Sequence, residues 1–289
     1  MISPYVRRLR LAAELKAART DAGLTHKQLA KMIGQSRAQI SRLENGHAVD
    51  INDVIKILDA LGIDGDRWTS IVNVARDAGT RGWWESNREM GPRQSLFADL
   101  EAGAETIREY QKTFVPGLLQ TPQFTHARTE AERLTGAAAS APRQAVAARN
   151  GRQRMLRRPG GPRYEVILDE LAVRRLSAPP EVVKAQLYHV AATVNRNPKI
   201  TLRVLPLDAV VEAYNLPRTT FSLYTFADPD DPDVVVVDTA TDDYVLTDHD
   251  AVKRHAELHA QLRDASWDVD TSLQFLVEVA AQDTAARTA

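Results

Sequence analysis

Two short helical patterns joined by a tight turn constrain this chain more than any other feature. The stretch from Leu24 to Gly46 reads LTHKQLAKMIGQSRAQISRLENG. Its apolar residues recur at helical spacing, at Leu29, Ala30, Ile33, Ile40 and Leu43. Thr25 and Ser36 precede the two patterns as N-caps, and Gly34 ends the first where a positive φ costs little. This layout is typical of a DNA-binding helix-turn-helix.

The same run resembles the Xre/Cro-type helix-turn-helix of phage repressors and bacterial regulators. The resemblance covers roughly residues 8–78 and is carried by an S-x-x-x-I-S-x-x-E-x-G pattern, at Ser36, Ile40, Ser41, Glu44 and Gly46. It implies that Arg19 on the first helix forms a structural ion pair with Glu44. It also implies that His26 contacts a phosphate, although many relatives carry glutamine at that position.

Apolar periodicity predicts an all-α N-terminal domain of five helices within residues 1–80. The predicted helices span residues 8–22, 26–33, 37–45, 51–61 and 65–77. Glycines and a proline then break the pattern, which predicts a linker over residues 81–95.

Charge is distributed unevenly along the chain. Residues 1–47 hold nine basic and three acidic side chains, a net charge of +6, which leaves 28 basic and 35 acidic residues elsewhere, a net charge of −7. A basic segment on an acidic chain suits a phosphate-binding domain.

A second, α/β domain with a mixed sheet is predicted over residues 96–282, followed by a disordered tail at residues 283–289. Helices are expected at residues 96–113, 122–133, 143–156, 181–197, 250–264 and 270–281. Strands are expected at residues 164–170, 200–207, 219–227 and 234–240, with a short edge strand near 243–248. The order strand–helix–strand over residues 164–207 predicts a parallel pair.

Six short motifs of this second part occur in a fixed order: F-A-D-L-E, V-P-G-L-L-Q-T-P-Q-F, R-Q-R-M-L, V-I-L-D-E, A-Q-L and V-L-P-L. Together they resemble a domain of unknown function that is common in actinobacterial regulators, over roughly residues 95–282. Several such proteins lie beside genes for small acidic partner proteins. The resemblance therefore implies a regulatory setting and a possible acidic protein partner, and supplies no chemistry.

The outward face of the second short helix is expected to enter the major groove. Arg37 and Arg42 suit guanine, Gln39 suits adenine or a phosphate, and Ala38 suits a thymine methyl. The full predicted DNA-binding set is His26, Gln28, Ser36, Arg37, Ala38, Gln39, Ser41, Arg42 and Asn45. One such module covers little surface, so the expected state is a homodimer on paired half-sites of double-stranded DNA, with the second domain as the dimerisation platform.

Catalytic, metal and cofactor sites are not expected, so the chain is predicted not to be an enzyme. Asp169 and Glu170 end a strand, where caps and salt bridges are commoner than catalysts. His255 and His259 share a helical face but lack a recognisable third metal ligand. The loop from Asp228 to Asp233 contains two prolines and lacks the central glycine of a calcium loop.

Two functional classes therefore remain open. The first is a transcriptional regulator whose second domain dimerises and senses a protein or ligand. The second is a DNA-tethered enzyme, or a toxin–antitoxin component whose N-terminal domain autoregulates its operon. The absence of cysteine, of a membrane span and of a signal-peptide core predicts a cytoplasmic location.

Overall fold

Five helices build the N-terminal part of the chain, as the sequence predicts. The computed structural model describes residues 1–47, 49–86, 90–136, 140–239 and 243–282. The helices are α1 (Pro4–Asp21), α2 (His26–Met32), α3 (Arg37–Leu43), α4 (Ile51–Ala60) and α5 (Gly65–Ala78). Helix α1 begins four residues earlier than predicted because Ser3 caps it, with its hydroxyl accepting a hydrogen bond from the Val6 amide.

The apolar stripes of these five helices meet in one core. Leu29 from α2, together with Ile40 and Leu43 from α3, is almost completely shielded from solvent. Helices α1, α4 and α5 supply most of the remaining side chains, which include Leu11, Leu15, Val54, Leu58, Ile71 and Val72. The apolar residues that recur at helical spacing in the sequence are therefore those that fix α2 and α3 in the core.

The chain folds into two units, and each unit is built from segments that are separated in the sequence. The first unit contains Met1–Asn87, Ser95–Ala104 and Phe226–Pro232, and the second contains Arg88–Gln94, Glu105–Thr225 and Asp233–Ala289. Two further helices follow α5, namely α6 (Trp83–Ser86) and α7 (Pro92–Gly103).

A six-stranded mixed sheet organises the C-terminal part. Its strands are β1 (Ala104–Gln111), β2 (Arg163–Asp169), β3 (Ile200–Leu205), β4 (Phe221–Phe226), β5 (Val234–Asp238) and β6 (Asp243–Leu246). The spatial order is β3-β2-β1-β4-β5-β6. Strand β2 pairs in parallel with β1 and β3, whereas β5 pairs antiparallel with β4 and β6. The predicted parallel pair and the predicted edge strand are both confirmed.

The described residues contain these further helices beside the sheet: α8 (Pro122–Leu134), α9 (Pro142–Arg157), α10 (Glu170–Arg174), α11 (Pro180–Arg196), α12 (His249–Ala265) and α13 (Val269–Ala281). Tyr110, Ile167, Phe221 and Leu223 from the strands share a core with Leu262 of α12. Within the described residues no helix combines the length and apolarity needed to cross a membrane. The tail at 283–289, predicted to be disordered, lies outside the described residues.

One predicted helix is wrong in its second half. The sequence predicts a single helix over residues 96–113, but α7 ends at Gly103 and Ala104–Gln111 forms β1. The segment AETIREYQ is rich in residues with good helix propensity, which explains the error. The segment nevertheless forms a strand, because Ile107 and Tyr110 are buried there and the strand lies between β2 and β4.

Candidate nucleic-acid interface

Hydrogen-bonded caps set the spacing of α2 and α3. Thr25 Oγ1 accepts a hydrogen bond from the Gln28 amide, and Gln28 Oε1 accepts one from the Thr25 amide, a reciprocal capping box. Gly34 adopts a φ of +66° in the turn, and the Gln35 amide then bonds back to the Ala30 carbonyl at 2.9 Å. Ser36 Oγ accepts from the Gln39 amide at 3.1 Å and starts α3.

The outward face of α3 carries most of the predicted contacts. Each residue turns a helix by about 100°, so positions 37, 38, 41 and 42 of α3 fall within roughly 140° of arc, and Asn45 lies just after the last turn. Ile40 and Leu43 lie on the other side and are buried. Arg37, Ala38, Arg42 and Asn45 are exposed, and Ser41 is partly exposed. The structure therefore brings these five predicted residues onto one accessible surface.

Some predicted contact residues already have partners inside the protein. Gln28 and Ser36 are exposed, but each has a side-chain oxygen engaged in a helix cap. Asn45 Nδ2 donates to the Ser41 carbonyl at 2.6 Å, which ties the residues after α3 to its last turn. These bonds fix the backbone that a DNA helix would meet.

Arg19 and Glu44 form a bidentate pair beneath this surface. Arg19 Nε donates to Glu44 Oε1 at 2.6 Å, and the second guanidinium nitrogen donates to Oε2 at 2.8 Å. The Glu44 side chain is 4% exposed. Burial raises its pKa, but hydrogen bonds from Arg19 and His26 outweigh burial and hold the pKa below its ordinary value.

His26, the first residue of α2, also contacts Glu44. Its Nε2 atom is 2.9 Å from Glu44 Oε2, and its side chain is 30% exposed. The imidazole therefore completes the Arg19–Glu44 cluster and links α2 to the end of α3. In this arrangement His26 orients the helix pair through Glu44.

An aspartate that sequence reasoning missed also holds α3. Asp53 on α4 is 5% exposed and accepts hydrogen bonds from Gln35 Nε2 at 2.6 Å and Gln39 Nε2 at 3.1 Å. Gln39 Oε1 in turn accepts a bond from Arg42. No signal in the sequence marks Asp53. Helix periodicity places it beside apolar Val54 but does not show that it faces the turn between α2 and α3.

The basic charge of the N-terminal segment is partly neutralised by acids far along the chain. Arg7 and Arg10 on α1 both bond Asp228, at 3.0 and 2.9 Å, and both lie near Asp231. Arg10 also pairs with Asp230. These residues belong to the first unit, so the +6 charge counted over residues 1–47 overstates what that unit offers to phosphate.

The remaining candidates of the second unit have structural partners. Asp169 accepts bonds from the Tyr110 hydroxyl and from the Leu171 amide, which caps α10. Glu170 accepts from the Leu207 amide and pairs with Arg174. These bonds give structural partners to the carboxylate that ends β2 and to the one that begins α10.

The histidine pair of α12 packs against an aromatic ring of the core. Both His255 and His259 contact the Phe221 ring edge-on, and His255 Nδ1 bonds the Ala251 carbonyl. Burial, with nearby Arg108 and Arg263, lowers the pKa of His259 to about 3. Among the residues that the structure describes, no group of three or more His, Cys, Asp or Glu side chains is arranged to hold a metal ion.

Two family models match the chain. The model described as Helix-turn-helix matches residues 15–68, and the model described as Domain of unknown function (DUF5753) matches residues 94–278. No curated protein and no solved structure matches the chain. The Helix-turn-helix match covers the region from α1 into α5 and includes the exposed face of α3.

Proposed function

Because the chain belongs to the family described as Domain of unknown function (DUF5753) and carries a DNA-binding helix-turn-helix before that domain, we propose that it is a sequence-specific transcriptional regulator. Its N-terminal helices are of the Xre/Cro type in this proposal. The actinobacterial character that the second resemblance implies stays a prediction.

The observation that carries the proposal is the exposed face of α3. Arg37, Ser41 and Arg42 project from one side of a helix whose other side is fixed in the core by Ile40 and Leu43. A rigid helix presenting two guanidinium groups suits the major groove, where arginine binds guanine O6 and N7 bidentately. The caps and the Glu44 cluster keep that helix in one orientation.

The first test of the proposal is to identify the operator sequence. Selection of binding sequences from random double-stranded DNA with the full chain should yield a conserved site. Loss of one base-reading arginine should then weaken binding to that site by about 1–3 kcal/mol and relax the preference at one position. Arg37→Ala and Arg42→Ala test this, with affinity measured at a fixed salt concentration.

Arg67→Ala is the matched control for charge. Arg67 is exposed on α5, outside the α2–α3 surface. Its removal should leave the base preferences unchanged. If both α3 variants kept the wild-type affinity and base preference, α3 would not be the helix that recognises the bases.

We also propose that the protein binds as a homodimer through its second domain. One module of this kind buries only roughly 600–1,000 Å² on DNA, and two half-sites about one helical turn apart give tighter binding. The selected operator should accordingly contain two related half-sites. Sedimentation of the free protein as a monomer at micromolar concentration, with one protein bound to each operator, would contradict the dimer.

In the same proposal the second domain senses a protein or a small ligand and carries out no catalysis. Support comes from Asp169 and Glu170, whose oxygens cap α10, bond Tyr110 and pair with Arg174. A small acidic protein encoded nearby is the proposed partner. Genome-wide mapping of the tagged regulator, with and without the neighbouring gene, tests this, and an unchanged binding pattern would count against such a partner.

A further inference from the structure

Gln39 is held by two different neighbours at the two ends of its amide. Its Nε2 atom donates to Asp53 Oδ2 at 3.1 Å, and its Oε1 atom accepts from a terminal guanidinium nitrogen of Arg42 at 2.5 Å. The three side chains therefore form a continuous path from the buried carboxylate on α4 to the exposed arginine on α3.

The chemistry of the carboxylate fixes the direction of this path. An ionised aspartate only accepts hydrogen bonds, so the Gln39 group that faces Asp53 must be the NH₂ end. The carbonyl end is then turned towards Arg42, which only donates. Gln35 Nε2 donates to the other oxygen of Asp53, at 2.6 Å.

The burial of these side chains decreases along the same path. Asp53 is 5% exposed, Gln39 is partly exposed, and Arg42 is exposed. Of these three side chains, only Arg42 therefore reaches the outward face with a group suited to a base edge. Gln39 uses both polar ends inside the protein, which leaves it poorly placed for the paired contact to adenine that glutamine otherwise makes.

We propose that Asp53 and Gln39 are positioning residues that preset the guanidinium of Arg42 for a guanine, and that Gln39 reads no base itself. This inference rests on the proposed DNA-binding function and names which side chain sets specificity within it. A long, exposed arginine loses rotamer freedom when it binds, and a partner that restrains it beforehand lowers that cost. Loss of the restraint should weaken operator binding by about 3- to 10-fold.

A double-mutant cycle separates positioning from direct reading. Gln39→Ala should weaken operator binding by about 3- to 10-fold in the wild-type background and by less than about 2-fold when Arg42 is already alanine. The base preference lost in Gln39→Ala should be at the same operator position as the preference lost in Arg42→Ala. Equal losses in both backgrounds, or a lost preference at a different position, would overturn the proposal.

Gln35→Ala is the matched control, since it removes the other amide from the same carboxylate. It should lower the thermal stability about as much as Gln39→Ala and leave the Arg42 position of the operator unchanged. Asp53→Ala should reproduce the Gln39→Ala preference, because it removes the acceptor that holds Gln39 Nε2. A wild-type preference in Asp53→Ala would overturn the positioning role of Asp53.

The outcome distinguishes the positioning role of Asp53 and Gln39 from the proposed DNA-binding function itself. If Arg42→Ala weakens operator binding and Gln39→Ala does not, the positioning role fails and the regulator proposal stands. If the full chain selects no DNA sequence at all, both fail together. Hydrogen exchange in α3 of each variant checks that the helix is still folded.

Discussion

Glu44 is an almost fully buried carboxylate inside the first unit. It accepts both ends of the Arg19 guanidinium as well as a bond from His26. We expect Glu44→Gln to lower the free energy of unfolding of this unit by about 3 kcal/mol at pH 7, as for a broken buried ion pair. Hydrogen exchange of the α2 and α3 amides measures the loss directly.

Acid should remove the same stabilisation from the wild type. The folded pKa of Glu44 lies below its ordinary value of 4.5, so the fold favours the ionised form. That contribution is complete above 4.5 and disappears as the pH falls through the lower folded pKa. The difference in the free energy of unfolding between the wild type and Glu44→Gln should therefore narrow below pH 4.5. A difference that does not depend on pH would show that the carboxylate charge is not its cause.

At the scale of the element, α3 depends on its first cap. The helix has seven residues, and Ser36 Oγ satisfies the Gln39 amide. Ser36→Ala should cost about 1 kcal/mol of stability. Ser36→Asp keeps a good cap but adds a negative charge close to the DNA backbone, so it should retain the stability and still weaken DNA binding.

Thermal unfolding and operator binding of the two Ser36 variants separate folding from recognition. A stable Ser36→Asp variant with wild-type affinity would mean that Ser36 faces away from the phosphates. Serine at an N-cap is a signal that sequence reasoning uses reliably, because the bond is local.

Local signals explain why helices α1 to α5 were predictable and β1 was not. Thr25, Ser36 and Gly34 mark helix ends through bonds to their own neighbours. The strand β1 exists because distant segments at β2 and β4 pair or lie beside it. Asp53 was missed for the same reason, since its two amide partners lie 18 and 14 residues away in the chain.

At the scale of the whole molecule, the first unit relies on Asp228. This carboxylate bonds both Arg7 and Arg10, whose side chains are 11% and 8% exposed. Asp228→Ala should cost about 1.5–3 kcal/mol, as for hydrogen bonds to charged groups. Hydrogen exchange in α1 reports the loss.

Asp230→Ala is the control on the same loop. The Asp230 side chain bonds a terminal nitrogen of Arg10 and is 74% exposed, so its removal should cost about 0–1 kcal/mol. Equal effects of the two substitutions would show that burial of the arginines does not govern this cluster.

The Arg10–Asp228 bond also has a consequence for the order of events during synthesis. Its two residues are 218 positions apart. At the usual 5–20 residues per second, the ribosome adds the second roughly 10–45 seconds after the first. Helix α1 is therefore made early but gains these ionic contacts late. A nascent chain stalled before residue 228 carries a first unit whose arginines still lack these partners.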